Sequence, residues 1–136
     1  MHTREERVAD FHEKFGLVIG AEPTASLLKL RRLLIDEETK ELFSDIDTAI
    51  EHLEKGETVP KTLYTNMLKE LADVQVVISG TAITLKPLRK LEEAFQRVHE
   101  SNLTKLGTDG KPIRREDGKI MKGPRYQEPD LSDLIP

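Results

Sequence analysis

Two short acidic segments, LIDEETKEL and KELADV, contain the residues of this sequence whose types and spacing could do chemistry. Their carboxylates are spaced one to four residues apart: Glu37, Glu38 and Glu41 in the first, Glu70 and Asp73 in the second. Residues three or four apart share one face of a helix, so each segment would present neighbouring carboxylates. Oxygen ligands of this kind suit hard cations such as Mg²⁺. The two segments therefore indicate a candidate metal site.

The distance between the segments would bring them together on an antiparallel helical hairpin. Glu41 lies sixteen residues before Glu57, which falls in the predicted turn, and Asp73 lies sixteen residues after it. At the helical rise, each helix travels about 24 Å from that turn. Glu41 and Asp73 then reach the same height, and Glu38 and Glu70 lie within one turn of it. The spacing therefore predicts that the acidic pairs meet between two helices.

The neighbours of these carboxylates leave two interpretations. Glu38 has Leu34 and Leu42 four residues away on either side, which places it beside the apolar stripe of its helix. Gathered carboxylates are unfavourable there unless a cation or a proton neutralises them. The alternative is a solvated acidic face, and Lys69 supports it because it could pair with Asp73. The whole set favours metal binding, whereas either pair alone would favour the solvated face.

Phosphate chemistry is one use for such a site. A cation held by the two pairs could bridge phosphate oxygens and lower the pKa of a bound water. Glu37, rotated about 100° from its neighbour Glu38, is the candidate to accept the proton of that water. Asn102 and Lys105 share a face near the end of the last predicted helix. Lys105 is equally well explained as a cation that complements the helix C-terminus.

Composition bounds the remaining function classes. The 136 residues suffice for one domain, and the charged N-terminus and the absence of a bilayer-long apolar run predict a cytoplasmic protein without membrane contact. Without cysteine, the chain has no thiol nucleophile, disulfide or Cys-ligated zinc. The net charge of −4 argues against a nucleic-acid polymer as partner. Residues 34–73 carry a balance of −7 and residues 102–126 one of +4, as expected where cations and an anionic ligand meet.

Apolar periodicity predicts an all-α fold with four helices. The predicted boundaries are about residues 3–15, 27–55, 60–84 and 87–104. Gly16 would end the first helix, and Thr24 or Ser26 would cap the second. The β-branched stretch VQVVIS is assigned to the third helix because the apolar pattern continues through it. Residues 1–106 are predicted to form the helical catalytic domain, and residues 107–136 an ordered C-terminal arm of the same domain.

In its acidic motifs the chain resembles the all-α NTP pyrophosphohydrolases, a superfamily that includes MazG, dimeric dUTPases and phosphoribosyl-ATP pyrophosphohydrolase. Glu-Glu-x-x-Glu is followed 29 residues later by Glu70-x-x-Asp73. The longer pattern is similar to a single-domain MazG-like subgroup and covers nearly the whole chain: FHEKFG, LIDEETKEL, ELADV, EAFQRVHESNLTKLG, DGK, KGPRY and PDL.

The resemblance implies a four-to-five-helix bundle with an irregular C-terminal arm, completed as a homodimer or homotetramer. It implies hydrolysis of a (d)NTP such as dUTP, dGTP or a non-canonical nucleotide to the monophosphate and pyrophosphate. The implied ligands of Mg²⁺, with Mn²⁺ as an alternative ion, are Glu38, Glu41, Glu70 and Asp73, and Glu37 and Glu38 would be catalytic. The implied nucleotide contacts are Asn102, Lys105, Lys122 and Tyr126, to which position alone adds Phe11 and His12. A non-catalytic helical oligomerisation module and a phosphoribosyl-ATP pyrophosphohydrolase remain the alternatives.

Overall fold

The computed structural model describes all 136 residues and contains four α-helices. They are α1 (Arg4–Lys14), α2 (Ala25–Glu54), α3 (Lys61–Thr84) and α4 (Leu91–Leu103), with short 3₁₀ turns at Lys86–Leu88 and Ser132–Leu134. Extended pairing is limited to two isolated bridges. The all-α class predicted from the sequence is confirmed. None of the helices combines the length and the apolar character needed to cross a membrane.

Local capping explains where α1 and α2 begin. The hydroxyl of Thr3 accepts a 3.1 Å hydrogen bond from the backbone N–H of Glu6, whose carboxylate accepts one from the N–H of Thr3. This reciprocal capping box satisfies two donors that the first turn would otherwise leave free. Thr24, one of the two predicted caps, accepts from the N–H of Leu27 at 3.2 Å. Gly16 follows α1 with a φ of +67°, a conformation that glycine adopts without strain.

The start of the fourth helix differs from its prediction. Pro87 lies in the 3₁₀ turn, and α4 begins four residues later, at Leu91. The reason is a contact distant in sequence: Leu85 is extended and buried, and it pairs with Ala21. The N–H of Lys86 donates to the carbonyl of Ala21 at 2.9 Å. This pairing holds the chain extended before the proline and delays the helix.

The chain forms two compact units, residues 1–89 and residues 90–136. In the first unit, α3 packs against both α1 and α2. Arg31, near the start of α2, reaches Val77 and Thr81, near the end of α3. The two long helices therefore run antiparallel, as the spacing of the acidic segments requires.

In the second unit, the C-terminal arm packs along α4. The guanidinium of Arg97 donates to the carboxylate of Asp133, with one N–O distance of 3.0 Å. The hydroxyl of Ser101 donates to the carbonyl of Gln127 at 2.6 Å. Leu134, near the chain end, is buried. The arm is therefore held by side chains of α4 rather than by regular secondary structure of its own.

Candidate functional site

The acidic residues of the two segments lie on the facing helices α2 and α3. Glu38 is half-buried, whereas Glu37 and Glu41 on the same helix are exposed. Burial of the carboxylate, and then the negative charges of Glu41 and Asp73, raise the pKa of Glu38. Because Asp73 belongs to α3, the structure brings carboxylates of both helices close enough to disfavour the ionisation of Glu38.

A second group of carboxylates surrounds Glu70 on α3. Burial, and then the neighbouring carboxyl group of Asp45 and the charge of Glu41, raise the pKa of Glu70. Asp45 was missed in the sequence analysis. It follows Glu41 by four residues and so continues the same face of α2 into the next turn. That spacing was the signal that could have identified it.

Two carboxylate oxygens of this cluster have no hydrogen-bond partner although they are buried. They are Oε2 of Glu38 and Oε2 of Glu70. Buried polar atoms are nearly always satisfied in folded proteins, since an unpaired one forfeits its hydration. A proton or a cation would compensate both oxygens. The donor set consists entirely of oxygen, which fits a hard cation such as Mg²⁺.

The side chains do not converge on one point. No group of three or more histidine, aspartate or glutamate side chains is arranged to hold a metal ion. Asp73 is paired with Lys69 at 2.7 Å, the contact that the solvated-face interpretation expected. The four predicted ligands thus share one interface, but they are not preassembled into a coordination sphere.

Phe11 and His12, the two predicted nucleotide contacts of α1, differ in their access to solvent. Phe11 is 45% exposed, and its ring lies against those of His12 and Phe15 at centroid distances of 6.2 and 4.6 Å. His12 is only 3% exposed, and its Nδ1 lies 3.0 Å from the carbonyl oxygen of Val18. Phe11 therefore presents an aromatic surface, while the ring of His12 is enclosed by the protein.

The other four predicted nucleotide contacts lie in the second unit, two at the end of α4 and two in the C-terminal arm. Asn102 is exposed and Lys105 half-exposed near the end of α4. The ammonium of Lys122 lies 4.8 Å from the centre of the Tyr126 ring, a cation–π contact. The two arm residues are therefore in contact with each other.

A comparison of the sequence with models of known protein families finds no match, and a comparison with curated proteins finds none either. The resemblance to all-α NTP pyrophosphohydrolases stays a prediction.

Proposed function

We propose that this protein is a Mg²⁺-dependent nucleoside triphosphate pyrophosphohydrolase. It would cleave a (d)NTP between the α- and β-phosphates to give the monophosphate and pyrophosphate. One observation carries the proposal: Glu38 and Glu70 each place an unpartnered, buried oxygen in an interface of like charges.

The charge balance of the interface favours a cation over a merely solvated face. Five carboxylates gather between the two helices: Glu38, Glu41, Asp45, Glu70 and Asp73. Lys69 is the one cation among the groups that shift the pKa of Glu38 or Glu70. A single lysine cannot neutralise five acids, so the interface carries a negative potential that attracts positive charge.

Glu38, Glu41, Glu70 and Asp73 would hold Mg²⁺, or Mn²⁺ in its place. The bound ion would neutralise charge on the phosphate oxygens and lower the pKa of a bound water. Asp73 would exchange its present partner, Lys69, for the ion. This exchange is open to Asp73 because its pair with Lys69 lies at a partly exposed position, where ion pairs are weak.

Glu37 would accept the proton from the attacking water. Its carboxylate is exposed and lies beside Glu38 on the next position of α2. The water oxygen forms a bond to the α-phosphorus, the bond from that phosphorus to the bridging oxygen breaks, and pyrophosphate leaves with the bonding electrons. Lys105, Lys122 and Tyr126 would contact the anionic or aromatic parts of the nucleotide, and Asn102 its polar groups. Phe11, whose ring lies beside that of His12, would contact the base.

The proposal includes a second copy of the chain as partner, in a homodimer or homotetramer. Several large apolar side chains of α2 and α3 are more than half exposed, among them Phe43, Leu53 and Leu68 at 59, 60 and 71%. Exposed apolar surface of this extent is typical of an interaction site. Association of two helical units would cover it.

Incubation with a panel of nucleotides and Mg²⁺ tests the proposal. The panel contains the natural (d)NTPs, dUTP, an oxidised purine nucleotide and phosphoribosyl-ATP, and released pyrophosphate and monophosphate are measured. We expect both products from at least one nucleotide and their loss in Glu38→Gln. The matched control is Glu54→Gln, an exposed glutamate at the far end of the same helix. If no nucleotide yields pyrophosphate and monophosphate, the proposed activity is contradicted. Full activity in Glu38→Gln would contradict the proposed metal site.

The second candidate is a non-catalytic helical oligomerisation module. The exposed apolar side chains of α2 and α3 and the lack of a preassembled metal site favour it. Such a module would form oligomers in solution but would bind no Mg²⁺ at Glu38 and release no pyrophosphate. Phosphoribosyl-ATP pyrophosphohydrolase, a different specificity of the same chemistry, would respond to that substrate alone.

A further inference from the structure

Arg31 is a buried arginine without an acidic partner. Arg31 is only 7% exposed, and it lies in the interface between α2 and α3. None of the ion pairs of the protein includes it. Burial lowers the pKa of its guanidinium, since the surroundings solvate the charge less well than water does. A buried charge without a counter-charge is unfavourable for stability. Its hydrogen bonds to α3 must therefore compensate for that desolvation.

Those hydrogen bonds form a closed network with α3. Nε of Arg31 donates to Oγ1 of Thr81 at 3.1 Å, and Nη2 donates to the carbonyl oxygen of Val77 at 2.9 Å. The hydroxyl of Thr81 donates to the same carbonyl at 2.8 Å. One side chain of α2 is thus tied to two positions of α3 that lie one helical turn apart. A shift of either helix along its axis would break both bonds.

Gly80 makes room for this contact. A Cβ at position 80 would lie 2.5 Å from Nη2 of Arg31, closer than Cβ atoms approach other heavy atoms, and a tight 3.3 Å from Cζ of the same residue. Glycine weakens the interior of a helix relative to alanine. A glycine in the middle of this buried helical turn leaves the space that the guanidinium of Arg31 occupies.

The network lies at a fixed distance from the carboxylates. Arg31 precedes Glu38 by seven residues on α2, which is two turns and about 10.5 Å on the same face. Asp73 precedes Val77 by four residues on α3. If α2 slipped by one turn along α3, Glu38 would move about 5.4 Å relative to Asp73. Interdigitated apolar side chains oppose such a slip, and the directional bonds of Arg31 oppose it in addition.

We propose that Arg31 is a positioning residue of the acidic site, because it fixes the register in which α2 presents its carboxylates to α3. Its effect on Mg²⁺ rests on the proposed function. The register itself does not, and it can be measured without any ligand.

Spin-label distances measure the register directly. The chain has no cysteine, so two introduced cysteines can be labelled selectively. Lys29→Cys on α2 and Thr65→Cys on α3 are exposed positions. Because Arg31 lies at the level of Val77 and Thr81, the two positions are separated mainly along the helix axes, by about 24 Å. A slip of one turn therefore appears almost fully in the measured distance. Titration calorimetry with Mg²⁺ on the same full-length proteins gives the affinity.

Four variants separate the network from general stability. Arg31→Met and Thr81→Val remove its donors or its acceptor with little change of volume, whereas Thr81→Ser keeps the hydroxyl. Val59→Ala, which removes buried methyl groups elsewhere in the same unit, is the stability control. We expect Arg31→Met and Thr81→Val to shift or broaden the distance by about one turn and to weaken Mg²⁺ binding on the order of tenfold. Thr81→Ser and Val59→Ala should leave both the spin-label distance and the affinity for Mg²⁺ unchanged.

The outcomes distinguish this inference from the proposed function. Unchanged distances in both Arg31→Met and Thr81→Val overturn the positioning role, even if the parent protein binds Mg²⁺. An equal shift in Val59→Ala also overturns it, because any loss of core packing would then have the same effect. If the parent binds no Mg²⁺ and hydrolyses no nucleotide, the proposed function fails, and a shift confined to the two network variants still supports the register role.

Discussion

Two polar layers lie between α2 and α3, two helical turns apart, and they differ in how their charges are satisfied. In the layer of Arg31, the guanidinium and the hydroxyl of Thr81 are both hydrogen-bonded to α3. In the layer of Glu38 and Glu70, each carboxylate retains a buried oxygen without a partner. In the first layer no buried side-chain oxygen or nitrogen lacks a hydrogen-bond partner, although the guanidinium has no counter-charge. The second layer has two such atoms among like charges, which a proton or a cation would compensate, and that combination makes it the candidate binding site.

The sharpest way to separate roles within the carboxylate layer is Glu37→Gln. If Glu37 accepts the proton of the attacking water, its loss should lower kcat on the order of 100-fold or more, the usual size for a general base. The affinity for Mg²⁺ should change little, because the predicted ligands remain. Initial rates of pyrophosphate release and calorimetric titration measure the two effects. A variant that loses Mg²⁺ binding in step with kcat would show that Glu37 is a ligand instead.

Mg²⁺ should stabilise the carboxylate layer and leave the arginine layer unaffected. A ligand at 100 times its Kd adds about 2.7 kcal/mol to the free energy of unfolding. The melting temperature of the parent protein should therefore rise with Mg²⁺. The rise should vanish in Glu70→Gln and persist in Glu54→Gln. A rise of the same size in both variants would indicate non-specific binding of the ion to acidic surface.

Gly80→Ala tests whether the arginine layer is as tightly packed as its contacts indicate. In an unconstrained helix the change would be stabilising, because alanine favours helix more than glycine does. Here the added methyl group meets the guanidinium of Arg31, so we expect a net loss of about 1–3 kcal/mol, as for other overpacked sites. Urea denaturation measures the loss. Thr48→Ala, at an exposed position of α2, is the control and should change stability little.

A smaller effect is expected in the pH dependence of the metal-free protein. Glu38 and Glu70 have raised pKa values, so the folded state binds protons more tightly than the unfolded state. Their contribution to stability is therefore fully present below the ordinary glutamate pKa and is lost as the pH rises through the raised values. Across that window the parent protein should lose stability relative to the double variant Glu38→Gln/Glu70→Gln, as followed by melting temperature. Parallel profiles for the two proteins would contradict the raised pKa values.

The arm of the second unit should respond to pH in the opposite sense. The hydrogen-bonded guanidinium of Arg97 lowers the pKa of Asp133. The stability contributed by this pair is present above the ordinary aspartate pKa and is lost as the pH falls through the lowered value. Asp133→Asn should remove that acid sensitivity. The α4–arm contact, followed by hydrogen exchange around Leu134, reports the change.

Much of the fold could be predicted from the sequence because its signals are local. Thr24 and Gly16 mark helix ends through contacts within a few residues, and the structure confirms both. The start of α4 could not be predicted, because it depends on the pairing of Leu85 with Ala21, more than sixty residues away.

In the candidate site, too, local features could be predicted from the sequence and contacts distant in sequence could not. Helical spacing was enough to place the acidic segments on facing helices. Arg31 was missed because nothing local distinguishes it from the adjacent, exposed Arg32. The available signal was Gly80, an isolated glycine inside a helical pattern, which usually has a packing reason. Sequence spacing can therefore indicate which charges gather, but not which of them the fold has already satisfied.

Calorimetric titration of metal-free protein with Mg²⁺, in the parent, Glu38→Gln and Glu54→Gln, tests most directly whether the carboxylate layer is a binding site. The account predicts saturable binding in the parent and in Glu54→Gln, and binding at least on the order of tenfold weaker in Glu38→Gln. No binding to the parent, or the same affinity in all three proteins, would contradict it.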